Sequence, residues 1–235
     1  MNKQSNTYTM IYIIVLVVIV GTALALTSIS LRDRQQANAD ADKMRQILAS
    51  VNIFPEKDII DTYNKYITTD FIVDEEGRRT DADAFAIDVA RESKLPAVER
   101  ELPVYQCTLA DGNVKYIMPM YGAGLWGPIW GYISVDSDGS TVYGAYFAHQ
   151  GETPGLGAEI EKPTFSGQFA GKRLVINGHF APISVIKSGM NPPDGADYVD
   201  GVSGGTITSK GVGAMIDNCL APYAAFLDSL NSTND

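Results

Sequence analysis

Cysteine, histidine and clustered positive charge are scarce in this sequence of 235 residues. Its two cysteines cannot build a disulfide scaffold or a four-thiolate metal site, and its two histidines cannot build a histidine-rich one. Acidic residues outnumber basic ones, 28 to 18, and the net charge is -10. No basic run is longer than Arg78-Arg79, so the basic face that nucleic-acid binding requires is missing. We therefore expect neither a metal site nor a nucleic-acid partner.

Hydrophobic and charged residues are otherwise present in ordinary proportions. The hydrophobic share is 45% and the charged share is 20%, which is typical of a globular protein and excludes a disordered or fibrous chain. The length is enough for one or two domains with a sizeable core.

Residues 9–31 form a run of 23 residues without a charged side chain. A helix needs about 20 apolar residues to cross a bilayer, so the run predicts a transmembrane helix after a short cytoplasmic tail at residues 1–8. A cleaved signal peptide is the alternative, but the run is longer than a usual signal-peptide core. Four basic residues between positions 32 and 45 would, by count, place the following chain on the cytoplasmic side.

The rest of the chain divides into a polar part and a strand-rich part. Residues 32–100 predict a helical stalk and a polar insert. From residue 101 onward, β-rich runs alternate with turn signals such as Asp111-Gly112-Asn113, and a last helix is predicted over residues 210–230. We predict an α+β fold, in which one N-terminal transmembrane helix precedes a mostly antiparallel sheet domain at residues 101–235 with flanking helices.

Two motif matches fail because their context is wrong. Residues 122–127 match G-x-G-x-x-G, but Pro128 and a β-like run follow where a dinucleotide site needs a helix. The alternative is a Gly-rich turn, in which Trp126 is either a core residue or an aromatic wall for a planar ligand. Residues 201–205 match the G-x-S-x-G elbow of serine hydrolases, but both histidines precede Ser203.

Residues 200–208 have a second interpretation, as a phosphate-binding loop. Small and hydroxyl side chains gather there immediately before the predicted last helix. The free N–H groups and the dipole at a helix N-terminus stabilise a phosphate. An ordinary Ser/Thr-rich helix cap is the competing explanation.

Residues 200–206 resemble the flavin-attachment motif of the FMN-binding domain family. In that family a threonine hydroxyl is joined to the phosphate of FMN, and Thr206 aligns with that threonine. Gly205 stands where alanine is usual. A second family element is Glu-Thr-Pro-Gly-Leu-Gly at residues 152–157, an unusual hexamer at the expected distance upstream. The resemblance covers roughly residues 100–230.

The resemblance implies one covalent FMN per chain, attached at Thr206. Leu156 and Trp126 would supply apolar contacts to the flavin ring, Glu152 and Thr153 would supply hydrogen bonds, and Lys187 aligns with a lysine beside the flavin. A solvated surface lysine is the alternative for Lys187. The other residues that the resemblance places around FMN are Ser203, Gly204, Gly205, Gly155 and Gly157. It implies no catalytic residue on this chain.

Such subunits occur in two membrane complexes, the sodium-translocating NADH:quinone oxidoreductase and the ferredoxin:NAD oxidoreductase. The turn at residues 124–126 and the polar insert resemble the C-type subunits of the former more than the G-type subunits of the latter. This implies an electron-relay subunit without its own NADH or quinone site. Its partners would be the other subunits of the complex, a flavin transferase and the lipid bilayer.

The family also implies a place in the cell inner membrane, with the domain on the periplasmic side, against the charge count. Cys107 and Cys219 would there be either a disulfide or two buried thiols. The rival class is a membrane-anchored binding or sensor module without covalent flavin.

Overall fold

The computed structural model describes residues 6–190 and 195–232, so residues 1–5 of the predicted tail lie outside the described residues. The helices are α1 (Asn6–Ala49), α2 (Ile59–Tyr66), α3 (Val89–Glu92), α4 (Pro163–Ser166), α5 (Thr206–Leu220) and α6 (Ala224–Ser232). The strands are β1 (Ile67–Val73), β2 (Arg79–Thr80), β3 (Leu102–Thr108), β4 (Val114–Ala123), β5 (Pro128–Asp136), β6 (Val142–His149), β7 (Val175–Ile176), β8 (His179–Phe180), β9 (Ser184–Ile186) and β10 (Tyr198–Asp200).

Helix α1 contains the charge-free run and continues without a break through the predicted stalk. It has 44 residues, and its most apolar window has a mean hydropathy of 2.7 with no residue buried. A helix of this length and composition can cross a bilayer. The chain divides into two compact units between Lys43 and Met44.

The second unit is built on an antiparallel sheet with the order β2-β1-β3-β4-β5-β6. Strands β3 to β6 follow one another along the chain, as the predicted hairpin turns require. Gly112 and Gly139 in those turns have φ values of 85° and 66°, a region that glycine adopts at little cost. The described strands also include a parallel pair, β9 with β10, so the sheet structure is mostly antiparallel, as predicted.

Both faces of the sheet are buried, because neighbouring residues of one strand point to opposite sides. In β3, Val104 packs into a core under α5 and α6, whereas Tyr105 packs into a second core with Ile47 and Leu48 near the end of α1. All four side chains are fully buried. The two helical layers and the sheet confirm the predicted α+β class.

The predicted polar insert contributes to the sheet. Strand β1, from that insert, pairs with β3, with Phe71 opposite Val104. Phe71 and Val73 pack into one core and Ile72 packs into the other. This alternation is what a strand with both faces buried requires. Residues 44–100 therefore belong to the same compact unit as the domain predicted from residue 101.

The predicted last helix begins earlier than expected and is interrupted. Helix α5 starts at Thr206, and a short 3-10 turn over Ala221–Tyr223 separates it from α6. Pro222 lies in this turn, and proline cannot donate the backbone hydrogen bond of a helix interior. One side of α5 and of the turn after it packs into the core, with Met215, Cys219 and Tyr223 buried.

Candidate functional site

The loop that enters α5 leaves the N-terminus of that helix without a side-chain cap. Strand β10 ends at Asp200, and Gly205 occupies the cap position with no side-chain hydrogen bond to the helix. The first N–H groups of a helix have no partner inside it, and the helix dipole adds partial positive charge there. The start of α5 can therefore receive an anionic group next to Thr206, its first residue.

The four hydroxyl side chains of this loop fall into two classes. Thr208 and Ser209 are buried and bonded: Thr208 Oγ1 donates to Glu152 Oε2 at 2.5 Å, and Ser209 Oγ accepts from the Val202 N–H at 2.9 Å. Ser203 and Thr206 are exposed. Only Ser203 and Thr206 thus present an accessible hydroxyl in residues 200–209, all of which are described.

The second predicted element, residues 152–157, meets this helix start through a buried carboxylate. Glu152 is 5% exposed, and its carboxylate accepts from Thr208 and from the Trp126 N–H at 2.8 Å. Burial would raise the pKa of Glu152, but the hydrogen bonds from Thr208 and from the Trp126 and Leu125 N–H groups outweigh it, so the pKa lies below its ordinary value. The Glu152 carboxylate therefore links its own turn to the β4–β5 connection at Trp126 and to the start of α5 at Thr208.

His149 supports the turn at Glu152. Its Nδ1 accepts a hydrogen bond from the Glu152 N–H at 3.1 Å. The His149 N–H donates to Glu161 Oε1 at 3.2 Å. The histidine therefore fixes the backbone from which Glu152 projects.

The two predicted loops touch backbone to backbone. A Cβ atom built on Gly205 would lie 3.2 Å from both the Gly157 N and the Leu156 carbonyl carbon. A Cβ atom at this distance would be crowded, and glycine avoids the crowding. Alanine is usual at this position in the family that the sequence resembles. Gly204 has a φ of 76°, and a Cβ atom there would meet the Leu156 side chain at 2.5 Å. The backbone angle therefore favours glycine at position 204, whereas the Leu156 side chain, 43% exposed, can move aside.

Two cavities open on either side of the α5 N-terminus and share Thr206. The larger has a volume of about 380 Å³, within the usual size range of small-molecule sites. Its lining residues are Val185, Ile186, Lys187, Met190, Gly201, Val202, Thr206, Ser209 and Lys210. The smaller has a volume of about 230 Å³. Its lining residues are Leu125, Trp126, Glu152, Thr153, Leu156, Gly157, Gly204, Gly205, Thr206, Ile207 and Thr208.

The predicted site residues therefore divide between the two cavities. Trp126, Glu152, Thr153 and Leu156 line the smaller one, whereas Lys187 lines the larger one. Of the described lining residues, Thr206 alone belongs to both cavities. Among the remaining predicted residues, Gly204, Gly205 and Gly157 line the smaller cavity, and neither set of lining residues contains Ser203 or Gly155.

Trp126 is a surface residue and not a core residue. Its side chain is 70% exposed, and Leu125 and Leu156 beside it are 47% and 43% exposed. The G-x-G-x-x-G match around it forms the connection between β4 and β5, so no helix follows it. This confirms that the match is a Gly-rich turn and leaves Trp126 available as an aromatic wall.

Sequence reasoning missed three contributors to this region. Thr208 holds the Glu152 carboxylate, and Met190 and Lys210 line the larger cavity. Lys210 follows Thr206 by four residues, the spacing that brings two side chains together on one helix face, and this signal was available in the sequence. No comparable signal marked Met190.

The residues present fit FMN. An uncapped helix N-terminus suits its phosphate, an accessible threonine hydroxyl stands at that terminus, and the larger cavity is walled by Val185, Ile186, Met190 and Val202 with lysines at its edge. FMN offers the matching parts, a phosphate at one end and a flat, largely apolar ring system at the other.

Residues 124–221 match the model of the FMN-binding domain family. The C-type subunit of the Na(+)-translocating NADH-quinone reductase of Vibrio anguillarum is 36% identical over an alignment of 193 residues, which covers 75% of this chain and 75% of that protein. The corresponding protein of Vibrio vulnificus (strain YJ016) is 34% identical over 194 residues, with the same coverage.

Two solved structures of such C-type subunits have the same fold. The crystal structure of the protein from Parabacteroides distasonis is 52% identical, has a TM-score of 0.78 and covers 84% of this chain and 96% of its own. The crystal structure of NqrC from Shewanella oneidensis is 25% identical, has a TM-score of 0.68 and covers 83% of this chain and 99% of its own.

Proposed function

Since this chain belongs to the family of C-type subunits of the Na(+)-translocating NADH-quinone reductase, we propose that it is the FMN-carrying electron-transfer subunit of such a complex. The complex would oxidise NADH, reduce quinone and translocate sodium ions. The names of the relatives and the FMN-binding domain match support this assignment. This chain would relay electrons and would leave NADH oxidation and quinone reduction to its partner subunits.

The flavin is held covalently, through a phosphodiester bond to Thr206. The observation that carries this proposal is the position of the Thr206 hydroxyl, which is exposed at an uncapped helix N-terminus between two cavities. Thr208 and Ser209 are buried and bonded elsewhere, which leaves Ser203 as the competing hydroxyl. Ser203 does not share the position at the start of α5.

Bound FMN supplies the capacity to accept and release electrons one at a time. The protein's part is to keep it in place and shape its surroundings. The N–H groups at the start of α5 would hold the phosphate, and Lys187, which lines the larger cavity, would favour the reduced, more negative flavin through its positive charge. Trp126 and Leu156 wall the smaller cavity, the second space that opens beside Thr206.

Glu152 acts mainly by holding these parts together, because its carboxylate is buried and accepts hydrogen bonds from Thr208 and from the Trp126 N–H. Thr153, Gly155 and Gly157 shape the same turn, and Gly155 has a φ of 76° that glycine tolerates. The small residues Gly204 and Gly205 let this turn approach the attachment loop.

A substitution at Thr206 tests the attachment. The full chain is produced with a flavin transferase, denatured and separated from free flavin. The parent protein should keep a flavin spectrum and an intact mass increased by one FMN, whereas Thr206→Val should fold but carry none. Ser203→Ala is the matched control and should keep its flavin. Flavin retained by Thr206→Val, or lost from the parent on denaturation, would contradict the proposal.

We also propose that residues 9–31 anchor the chain in the inner membrane with residues 44–235 on the periplasmic side, where the transferase acts. Helix α1 is apolar enough to serve as the anchor. Protease added to intact spheroplasts should digest the domain. Protection until the membrane is lysed would place the domain in the cytoplasm and contradict the proposed orientation.

A further inference from the structure

Lys210 lies one helical turn after the proposed attachment residue. It follows Thr206 by four residues in α5, and residues at this spacing are neighbours on the helix surface. Both residues line the larger cavity. A group that is attached to Thr206 and lies in the larger cavity would therefore be within reach of the Lys210 ammonium.

The described lining of the larger cavity contains two lysines. Lys187 and Lys210 both contribute to it, and none of the lining residues that the structure describes is Asp or Glu. Neither lysine has a carboxylate within 4.0 Å among residues 6–190 and 195–232. Two cations without a counter-charge beside a largely apolar cavity favour a ligand that combines an anion with an apolar body.

The smaller cavity offers a different environment. Its charged lining residue is Glu152, whose carboxylate is ionised because its pKa lies below the ordinary value. A negative charge there disfavours a phosphate and a flavin that gains negative charge on reduction. The larger cavity is also the roomier of the two, about 380 Å³ against about 230 Å³.

We propose that Lys210 is a positioning residue for the flavin: its ammonium pairs with the phosphodiester on Thr206 and directs the ring into the larger cavity. There Val185, Ile186 and Val202 cover the ring, and Lys187 lies with it on the same side of the helix start. This inference rests on the attachment of FMN to Thr206 and adds to it the orientation of the flavin and the residue that sets it.

The test compares Lys210→Gln, Lys210→Arg and the parent, each as the full chain in detergent and produced with the flavin transferase. Lys57→Gln is the control, since it removes the same charge from an exposed position outside both cavities. Two properties of the attached flavin are measured: its midpoint potential, and the quenching of its fluorescence by acrylamide, a neutral probe of exposure.

Lys210→Gln should lower the equilibrium constant for two-electron flavin reduction by about tenfold, equivalent to about 30 mV. Acrylamide quenching should increase because the ring leaves its cavity more often. Lys210→Arg should restore both properties, and Lys57→Gln should match the parent. If Lys210→Gln is not flavinylated at all, recovery of attachment in Lys210→Arg supports the proposal, and failure of both variants overturns it.

Unchanged potential and quenching in a fully flavinylated Lys210→Gln would overturn the role of Lys210 and leave Thr206 untouched. A parent protein without covalent flavin would instead refute the Thr206 assignment, and the role of Lys210 with it. The two failures are therefore distinguishable in one set of samples.

Discussion

Replacing Glu152 by glutamine should loosen the site without changing its shape. The carboxylate accepts from Thr208 Oγ1 at 2.5 Å and from the Trp126 N–H at 2.8 Å while only 5% exposed. Glutamine keeps the volume but has one acceptor oxygen and no charge. A hydrogen bond to a charged group contributes about 1.5–3 kcal/mol, so we expect the free energy of unfolding to fall by about 2 kcal/mol.

Urea denaturation followed by tryptophan fluorescence measures this loss, because both tryptophans lie in the sheet domain. In a domain of this size, the expected loss corresponds to a decrease in Tm of about 4–8 °C. Glu56→Gln, at an exposed position, is the control and should change the free energy of unfolding by less than about 0.5 kcal/mol. A double-mutant cycle with Thr208→Val should give a coupling energy of about 1 kcal/mol.

The pH dependence has a definite sign. The pKa of Glu152 is lower in the folded protein than its ordinary value of 4.5. The stabilisation is therefore complete above that value and is lost as the pH falls through the folded pKa. The difference between the parent and Glu152→Gln should narrow below about pH 4.5. A loss below about 0.5 kcal/mol at pH 7, or a difference that widens in acid, would refute this account of the carboxylate.

Three further predictions concern the surrounding structure. Gly204→Ala should lower the free energy of unfolding by about 1–2 kcal/mol in urea denaturation because φ at this residue is 76°. Gly205→Ala should lower this free energy less, because φ at Gly205 is -103°. A larger loss for Gly205→Ala than for Gly204→Ala would contradict the loop geometry. Trp126→Leu should change that free energy by less than about 0.5 kcal/mol, since the side chain is 70% exposed and only its backbone N–H binds Glu152. Burial raises the pKa of the Cys107 thiol to about 11, so it should resist a thiol reagent at pH 8 until the protein is unfolded; rapid labelling of the native protein would show that the thiol is accessible.

Local patterns in the sequence were enough to predict α1, the hairpins and the loop before α5. The apolar run, the Gly-containing turns and the small and hydroxyl residues at 200–208 each act over a few neighbouring residues, whereas the Glu-Thr-Pro-Gly-Leu-Gly hexamer was identified from the family resemblance. Strand β1 was missed because its pairing is long-range. Phe71 of β1 pairs with Val104 of β3, which lies far away in the sequence. The charged and polar residues around β1 also hide the alternation of its apolar side chains between the two cores.

The division of the site into two cavities could not be predicted either. The family resemblance placed Lys187 and Trp126 around one flavin. Whether the segments that carry these two residues line the same cavity depends on how both pack against the start of α5. Here the start of α5 separates the two cavities, and Thr206 is the one described residue that lines both. The bond between Thr208 and Glu152 spans 56 residues of sequence, and it becomes visible only when the turn and the helix are brought together.

Fragmentation mass spectrometry of the tryptic peptide at residues 188–210 tests the central claim most directly. This peptide contains Ser203, Thr206, Thr208 and Ser209, so it holds every hydroxyl of the attachment loop. The flavinylated parent protein should yield the peptide with one added FMN, and the fragment ions should place the phosphodiester on Thr206. An unmodified peptide from a protein that retains flavin after denaturation, or a modification localised to Ser203, Thr208 or Ser209, would contradict the account.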